Sequence, residues 1–154
     1  MIAGLVCASP PTVGADPFLG QLRCVAIQAS YLDVGEPFGI TSEDLGEAVR
    51  IGLTIHVPTL KIDAGCPDRI SYKVFLQSFS TGSVDGFFGH VALDVTRKAI
   101  FHDTALLTAT RAWDLESYLS GTRDKAKSSV LDQLTSLLKQ FAADYSAANK
   151  QGEK

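Results

Sequence analysis

Features that mark several common classes of protein are missing from this chain of 154 residues. No apolar run approaches the roughly 20 residues that a membrane-spanning helix needs. The basic residues are scattered, apart from Arg97-Lys98 and the turn 123–127, and the formal net charge is −3. Because phosphate binding requires clustered Lys and Arg, this pattern argues against a nucleic-acid partner. We therefore expect neither a nucleic-acid partner nor a transmembrane segment.

Motifs for catalysis and for cofactors are missing as well. The sequence has no nucleophile elbow, no P-loop and no His-Glu-x-x-His. Its histidines, His56, His90 and His102, lie outside metal-ligand spacing of one another and of cysteine. We therefore predict no catalytic, cofactor-binding or metal-binding residues, and no cofactor. One alternative stays open, because on a strand His90 and Asp94 would share a face and could serve a small hydrolase as base and orienter.

The first fifteen residues differ in composition from the rest. They carry no charge, and the small-residue triplet Val13-Gly14-Ala15 precedes Asp16. Small residues just before the cleavage point are typical of a signal-peptidase site. A lipobox at Cys7 is not indicated, because the residue before this cysteine is too large. Residues 1–15 are therefore interpreted either as a signal-peptide remnant or as a disordered extension, and 16–154 as a single α+β domain. The first interpretation predicts a periplasmic or otherwise exported protein, and a cytoplasmic one is the alternative.

The remaining cysteines, Cys24 and Cys66, allow two interpretations. In an oxidising compartment they could form a disulfide that stabilises the fold by roughly 3–4 kcal/mol in the chain-entropy model. Their spacing alone does not show that they meet. Two unpaired thiols are the simpler expectation.

Two segments have the spacing of amphipathic helices. Near the C-terminus, apolar residues recur at intervals of three, four and seven. They are Val130, Leu134, Leu137, Leu138, Phe141 and Tyr145. This pattern predicts a helix over about 123–148, capped by Thr122. A second helix is predicted over about 42–54, because Thr41 can cap it and the acidic Glu43 and Asp44 suit its first turn.

Alternating apolar residues predict the strands. They are placed at 22–32, 59–62, 70–80, 87–101 and 105–113, and residues 114–122 are expected to form a connection. Strands joined by tight turns pair antiparallel. Two helices that each have one apolar stripe bury it by packing together on a single face of the sheet. The expected fold is an α+β two-layer sandwich, with a mainly antiparallel sheet of four or five strands and both helices on one face.

The layout resembles a family of uncharacterised, mostly exported bacterial proteins. The matching motifs are a helix start, Gly39-Ile40-Thr41-Ser42-Glu43-Asp44-Leu45, and a helix end, Phe141 to Asn149 with Asp144-Tyr145 inside it. Trp113 stands where such proteins carry a tryptophan after the last strand. The architecture is also similar to periplasmic auxiliary lipoproteins, including the lipopolysaccharide-assembly lipoprotein. The resemblance implies an exported protein of similar fold and supplies no catalytic residue.

A candidate partner surface follows from the aromatic residues Phe75, Phe79, Phe87 and Trp113. Phe75 and Phe79 should lie on the sheet face away from the helices, where an apolar area could bind a partner. Loops, a second copy of the chain or charged neighbours could instead cover this face, and Trp113 could simply pack under the last helix. The sequence thus favours a non-enzymatic exported binding or assembly module. Its partner would be an unknown protein or envelope component, with a homo-oligomer as a further option, and the hydrolase remains the competing hypothesis.

Overall fold

The computed structural model describes residues 19–101 and 106–151. Its elements in chain order are β1 (Cys24–Val34), α1 (Ser42–His56), β2 (Lys61–Ile62), β3 (Arg69–Thr81), β4 (Val84–Phe101), β5 (Leu106–Thr122) and α2 (Ala126–Gln151). The strands form one mixed sheet in the order β2-β1-β3-β4-β5, and α1 and α2 pack on one of its faces. The α+β class, the five-stranded sheet and the pair of helices are as the sequence predicts. The segment 1–15, with its proposed signal remnant, lies outside the described residues.

The sheet combines antiparallel and parallel pairs. β3, β4 and β5 form an antiparallel meander, as predicted from their short connections. In contrast, β1 runs parallel to both β2 and β3. The reason is that α1 carries the chain back to the end of the sheet where β1 begins, and a strand that follows such a crossover is parallel. These parallel pairs were not predicted from the sequence.

The helix α1 starts and stops where its sequence indicates. The Thr41 hydroxyl accepts a hydrogen bond from the Asp44 backbone N–H at 3.0 Å, so Thr41 is the cap. The helix ends at His56, because the residue before Pro58 is pushed out of the helical conformation. Its buried residues Leu45, Val49 and Leu53 face the core.

The helix α2 buries the predicted stripe. Every one of the apolar residues that define its spacing is less than one-tenth exposed. A buried hydroxyl ties the helix to the sheet, since Tyr72 of β3 donates to the Val130 carbonyl at 3.0 Å. The two helices also approach each other closely. A Cβ built on Gly52 of α1 would lie 2.3 Å from Cδ1 of Leu138.

The largest differences from the predicted boundaries lie at the end of β5 and at the β3–β4 turn. The segment 114–122, expected to be a connection, continues β5 and pairs with β4 as far as Gly86↔Thr122. Its small and polar composition suggested a loop, but an edge strand with one exposed face tolerates such residues. The β3–β4 turn is also tighter than predicted, because it contains only Gly82 and Ser83 between the strands. Thr122 precedes a 3-10 turn and makes no capping hydrogen bond with its side chain.

The β4–β5 ladder is longer than the β3–β4 ladder. The pairing of β3 with β4 begins at Arg69↔Thr96. Beyond a register shift between Val95 and Thr96, residues 97–101 of β4 continue to pair with β5. This end of the ladder is therefore a two-stranded ribbon that extends past the rest of the sheet.

Candidate functional site

The sheet face opposite the helices, called here the outer face, collects apolar side chains at one end. Residues paired on neighbouring strands point to the same face of a sheet. Near the β3–β4 turn, two such rows cross the outer face. They are Leu32, Phe75, His90 and Tyr118, and then Val34, Gln77, Phe88 and Ser120. Three strands of the meander and β1 thus contribute to one continuous surface.

The apolar members of this surface form what we call the outer patch. It consists of Leu32, Val34, Phe75, Phe79, Val84, Phe88 and Tyr118. Tyr118 is 82% exposed, Leu32 60% and Phe88 46%. Together the side chains expose about 600 Å², the upper end of the range for the largest apolar patch on a typical monomer. A patch of this size marks an interaction site more often than a random scatter of apolar residues does.

The aromatic rings of the outer patch are held in place by their neighbours. The Phe79 ring lies over Gly86, because a Cβ built on that glycine would be 2.3 Å from the ring. Phe79 and Phe88 have ring centroids 6.5 Å apart, and the Tyr118 ring lies 5.2 Å from that of His90. The missing side chain at Gly86 therefore makes room for an aromatic ring to lie flat along the sheet.

The other end of the outer face is polar. Lys73 Nζ lies 2.7 Å from Oδ2 of Asp94, which is 5% exposed, and the Thr96 hydroxyl donates to the same carboxylate at 3.3 Å. Farther along, Arg69 donates to the side-chain oxygen of Gln28 at 3.3 Å. Lys73 and Asp94 form an ion pair and Arg69 has a neutral amide partner, so the outer face has an apolar half and a hydrogen-bonded polar half.

Two residues of the predicted partner surface, Phe75 and Phe79, lie on the outer face. Phe87, in contrast, lies in the core with no exposed area, and its ring packs edge-on against Phe38 at 6.0 Å. The correction follows from strand alternation: Phe87 shares its face with the buried Val91. Phe88 is the residue that alternation places on the outer face, and it was not among the predicted residues.

Trp113 lies under α2 and is absent from the outer face. Its indole N–H donates to Oδ2 of Asp144 at 2.9 Å, and its ring packs against Phe141 at 5.2 Å. It also sits within β5, not after the last strand as the family resemblance implies. The residue therefore joins the sheet to the last helix and is no part of the outer patch.

The hydrolase hypothesis required His90 and Asp94 to act together, and the structure gives them different partners. His90 Nε2 lies 3.2 Å from Oε2 of Glu116, whereas Asp94 is bound by Lys73 and Thr96. Neither residue lines either of the two clefts described below. The base-and-orienter pair that the spacing allowed is not formed.

A disulfide joins Cys24 and Cys66, with the Cα atoms 6.0 Å apart. The expectation of two unpaired thiols was therefore wrong. The reason is topological: Cys24 opens β1 and Cys66 precedes β3, and the parallel pairing of these strands brings their starts together. Since disulfides persist in oxidising compartments, this bond is relevant to where the protein works.

The larger of the two clefts lies at the junction of α2 with the β1–α1 loop. Its volume is about 570 Å³, and it is lined by Pro37, Phe38, Asp85, Arg123, Asp124 and Lys127. The Arg123 guanidinium pairs with Glu36, donates to the Pro37 carbonyl at 3.0 Å and lies 5.8 Å from the centre of the Phe38 ring. These partners already engage Arg123, so the cleft offers a poor anion site.

The smaller cleft, of about 260 Å³, lies between the helices. Its lining includes Ile51, Leu45 and Val130, so it is mainly apolar. Among the residues that the structure describes, no group of three His, Cys, Asp or Glu side chains is placed to hold a metal ion. No helix in the described ranges is long and apolar enough to cross a bilayer.

Two tyrosines have raised pKa values for structural reasons. Burial raises the pKa of Tyr72, which donates its hydrogen bond to α2. The pKa of Tyr31 is raised mainly by burial and further by the nearby Asp33 carboxylate. The Tyr31 hydroxyl donates to this carboxylate at 3.2 Å. Both hydroxyls therefore stay protonated at neutral pH and serve as hydrogen-bond donors within the fold.

Comparison with known proteins identifies the fold. No protein-family model matches the chain, and no curated protein matches it significantly by sequence. The structure is similar to a hypothetical protein from Chlamydia trachomatis, with a TM-score of 0.51 and 7% identity, over 78% of this chain and 97% of that one. This likeness shows the fold alone.

Two further likenesses are weaker. A minor lipoprotein from Acinetobacter baumannii has a TM-score of 0.40 and 13% identity, over 84% of this chain and 93% of that one. PelC from Paraburkholderia phytofirmans, a dodecamer, has a TM-score of 0.39 and 12% identity, over 89% and 93%. Both are too distant to support a statement about this chain. The likeness to the Chlamydia trachomatis protein alone therefore agrees with the predicted resemblance to uncharacterised proteins, at the level of fold only.

Proposed function

We propose that the protein is a non-enzymatic, exported binding module that holds a protein or envelope component against its outer patch. The observation that carries this proposal is the outer patch itself, which combines exposed aromatic and aliphatic side chains from four strands. Tyr118 and Phe88 are its most prominent aromatic rings, and exposed aromatic residues are the commonest anchors of protein interfaces. The paired charges at the other end of the outer face supply a polar border of the kind found around binding sites.

The exported location is proposed from the disulfide. A bond between Cys24 and Cys66 is stable in an oxidising compartment and is rare in a reducing cytoplasm. Expression of the full chain in a bacterial host, followed by fractionation and alkylation of free thiols, tests this part. We expect the chain in the periplasmic or envelope fraction, with peptides containing Cys24 and Cys66 protected from alkylation. A cytoplasmic chain with both thiols alkylated would contradict it.

A photo-crosslinking residue placed at position 118 tests the binding role in cells. The matched control carries the same residue at position 55, because Ile55 is also an exposed apolar residue, at 66%, but lies on α1 away from the outer face. We expect a discrete adduct from position 118 that is lost when Phe88→Glu is added. Equal or absent crosslinking at the two positions would refute a binding role for the outer patch.

A further inference from the structure

We propose that the occupant of the outer patch is a second copy of this chain, packed sheet against sheet in a closed two-fold dimer. This inference rests on the proposed function and names the partner. Its starting point is shape. The patch is a layer of side chains on a pleated sheet, and the two clefts described above lie elsewhere on the molecule. A sheet face of this kind fits another sheet face, at about 10 Å separation, better than it fits a peptide or a small ligand.

The area of the patch agrees with this occupant. About 600 Å² of exposed surface on each copy gives a buried total of at most about 1,200 Å² when the facing copy covers the whole patch, which reaches the lower end of the range for specific interfaces. A two-fold interface uses the same surface twice, so one patch suffices for both partners. With Tyr118 at 82% exposure and Leu32 at 60%, both borders of the patch protrude far enough to contact a facing sheet.

The charge distribution also favours a second copy. The row from Leu32 to Tyr118 and the row from Val34 to Ser120 contain no Asp, Glu, Lys or Arg. Two such surfaces can therefore meet without burying an unpaired charge or opposing like charges. A lipid surface is a poorer occupant, because binding to anionic lipids needs basic residues around the apolar area. The row beside the patch on the outer face, Ser30, Lys73, Ala92 and Glu116, carries one charge of each sign and offers no excess of basic residues.

Sedimentation equilibrium of the purified full chain tests the inference. We expect a dimer whose dissociation constant rises about a hundredfold or more in Phe88→Glu and in Tyr118→Glu. The control Ile55→Glu adds the same charge at an exposed apolar position on α1 and should leave the dimer unchanged. Circular dichroism establishes that each variant is folded. Because the two outer-patch variants change different strands, a folding defect in one still leaves the other as a test.

Three results would overturn the inference. The first is a wild-type chain that stays monomeric at concentrations up to about 100 µM. The second is a dimer that both outer-patch variants retain. The third is a dissociation constant that rises as much in Ile55→Glu as in the outer-patch variants. The in-cell crosslink at position 118 separates this inference from the proposed function. An adduct with a different protein would refute the dimer and support the binding role. An adduct with twice the mass of the chain supports both the dimer and the binding role. The absence of any adduct specific to position 118 refutes the binding role itself.

Discussion

The two glycines of α1 provide a sharp test of how the helices pack. A glycine inside a helix costs about 1 kcal/mol relative to alanine, so replacing it should stabilise the protein wherever a methyl group fits. A Cβ at Gly46 would lie 3.8 Å from Cβ of Ala29, an ordinary contact. We therefore expect Gly46→Ala to raise the free energy of unfolding by about 0.5–1 kcal/mol.

The same substitution at Gly52 should have the opposite sign. Its Cβ would lie 2.3 Å from Cδ1 of Leu138, a side chain that is 1% exposed and surrounded by the core. Overpacking of this kind costs typically 1–3 kcal/mol, which exceeds the gain in helix propensity. We expect Gly52→Ala to lower the free energy of unfolding by about 1 kcal/mol. The two variants should therefore differ by about 2 kcal/mol in that free energy and by roughly 4–8 °C in Tm.

Urea unfolding followed by circular dichroism measures both variants against the wild type. Combining Gly52→Ala with Leu138→Ala provides a further check, because the smaller side chain leaves room for the new methyl group. The combined loss should then be smaller than the sum of the single losses by about 1 kcal/mol or more. If Gly52→Ala is as stable as Gly46→Ala, the close approach of α1 to α2 at this point is wrong.

The remaining predictions concern the disulfide, a buried hydroxyl and one carboxylate. Replacing Cys24 and Cys66 by Ser should lower the free energy of unfolding by about 4 kcal/mol, measured by urea titration. In the same titration, a reducing agent should destabilise the wild type and leave this variant unchanged. Tyr72→Phe removes a buried donor to α2 and should cost about 1–2 kcal/mol by the same assay; an unchanged stability would show that the bond contributes nothing. The hydrogen bond from Lys61, and then one from a backbone N–H, lower the pKa of Asp63. This carboxylate should therefore stabilise the fold above its unfolded pKa and lose that effect as the pH falls through its folded pKa. An NMR titration of Asp63 that gives an ordinary or raised pKa would contradict this.

The helices could be predicted from sequence because each has a periodic stripe and clear ends. The stripe from Val130 to Tyr145 repeats over several turns, and Thr41 and Pro58 bracket α1. The sheet pairing was harder. The parallel placement of β1 beside β3 depends on where α1 returns the chain, and no local pattern encodes that contact. For the same reason the spacing of Cys24 and Cys66 did not show that they meet.

The errors at the candidate site have a different cause. The aromatic character of Phe87 favours the partner surface, although alternation with Val91 places it in the core and points to Phe88 instead. Tyr118 lies in a segment whose composition indicates a connection, so the sequence does not place it on the outer face. Its pairing with His90 depends on the length of β5, which the neighbouring strand determines.

The long β4–β5 ladder has a consequence for local stability. Amides in the middle of β4, around Val91, lie between two hydrogen-bonded neighbours and under α2, so their exchange with deuterium should require global unfolding. Amides at 99–101 belong to the part of β4 that pairs with β5 beyond Arg69, where β3 starts, and a pair of strands by itself is only marginally stable. We therefore expect β4 to exchange in two phases along its length. Its far end would open and close as a unit of its own while the sheet beneath the helices stays intact.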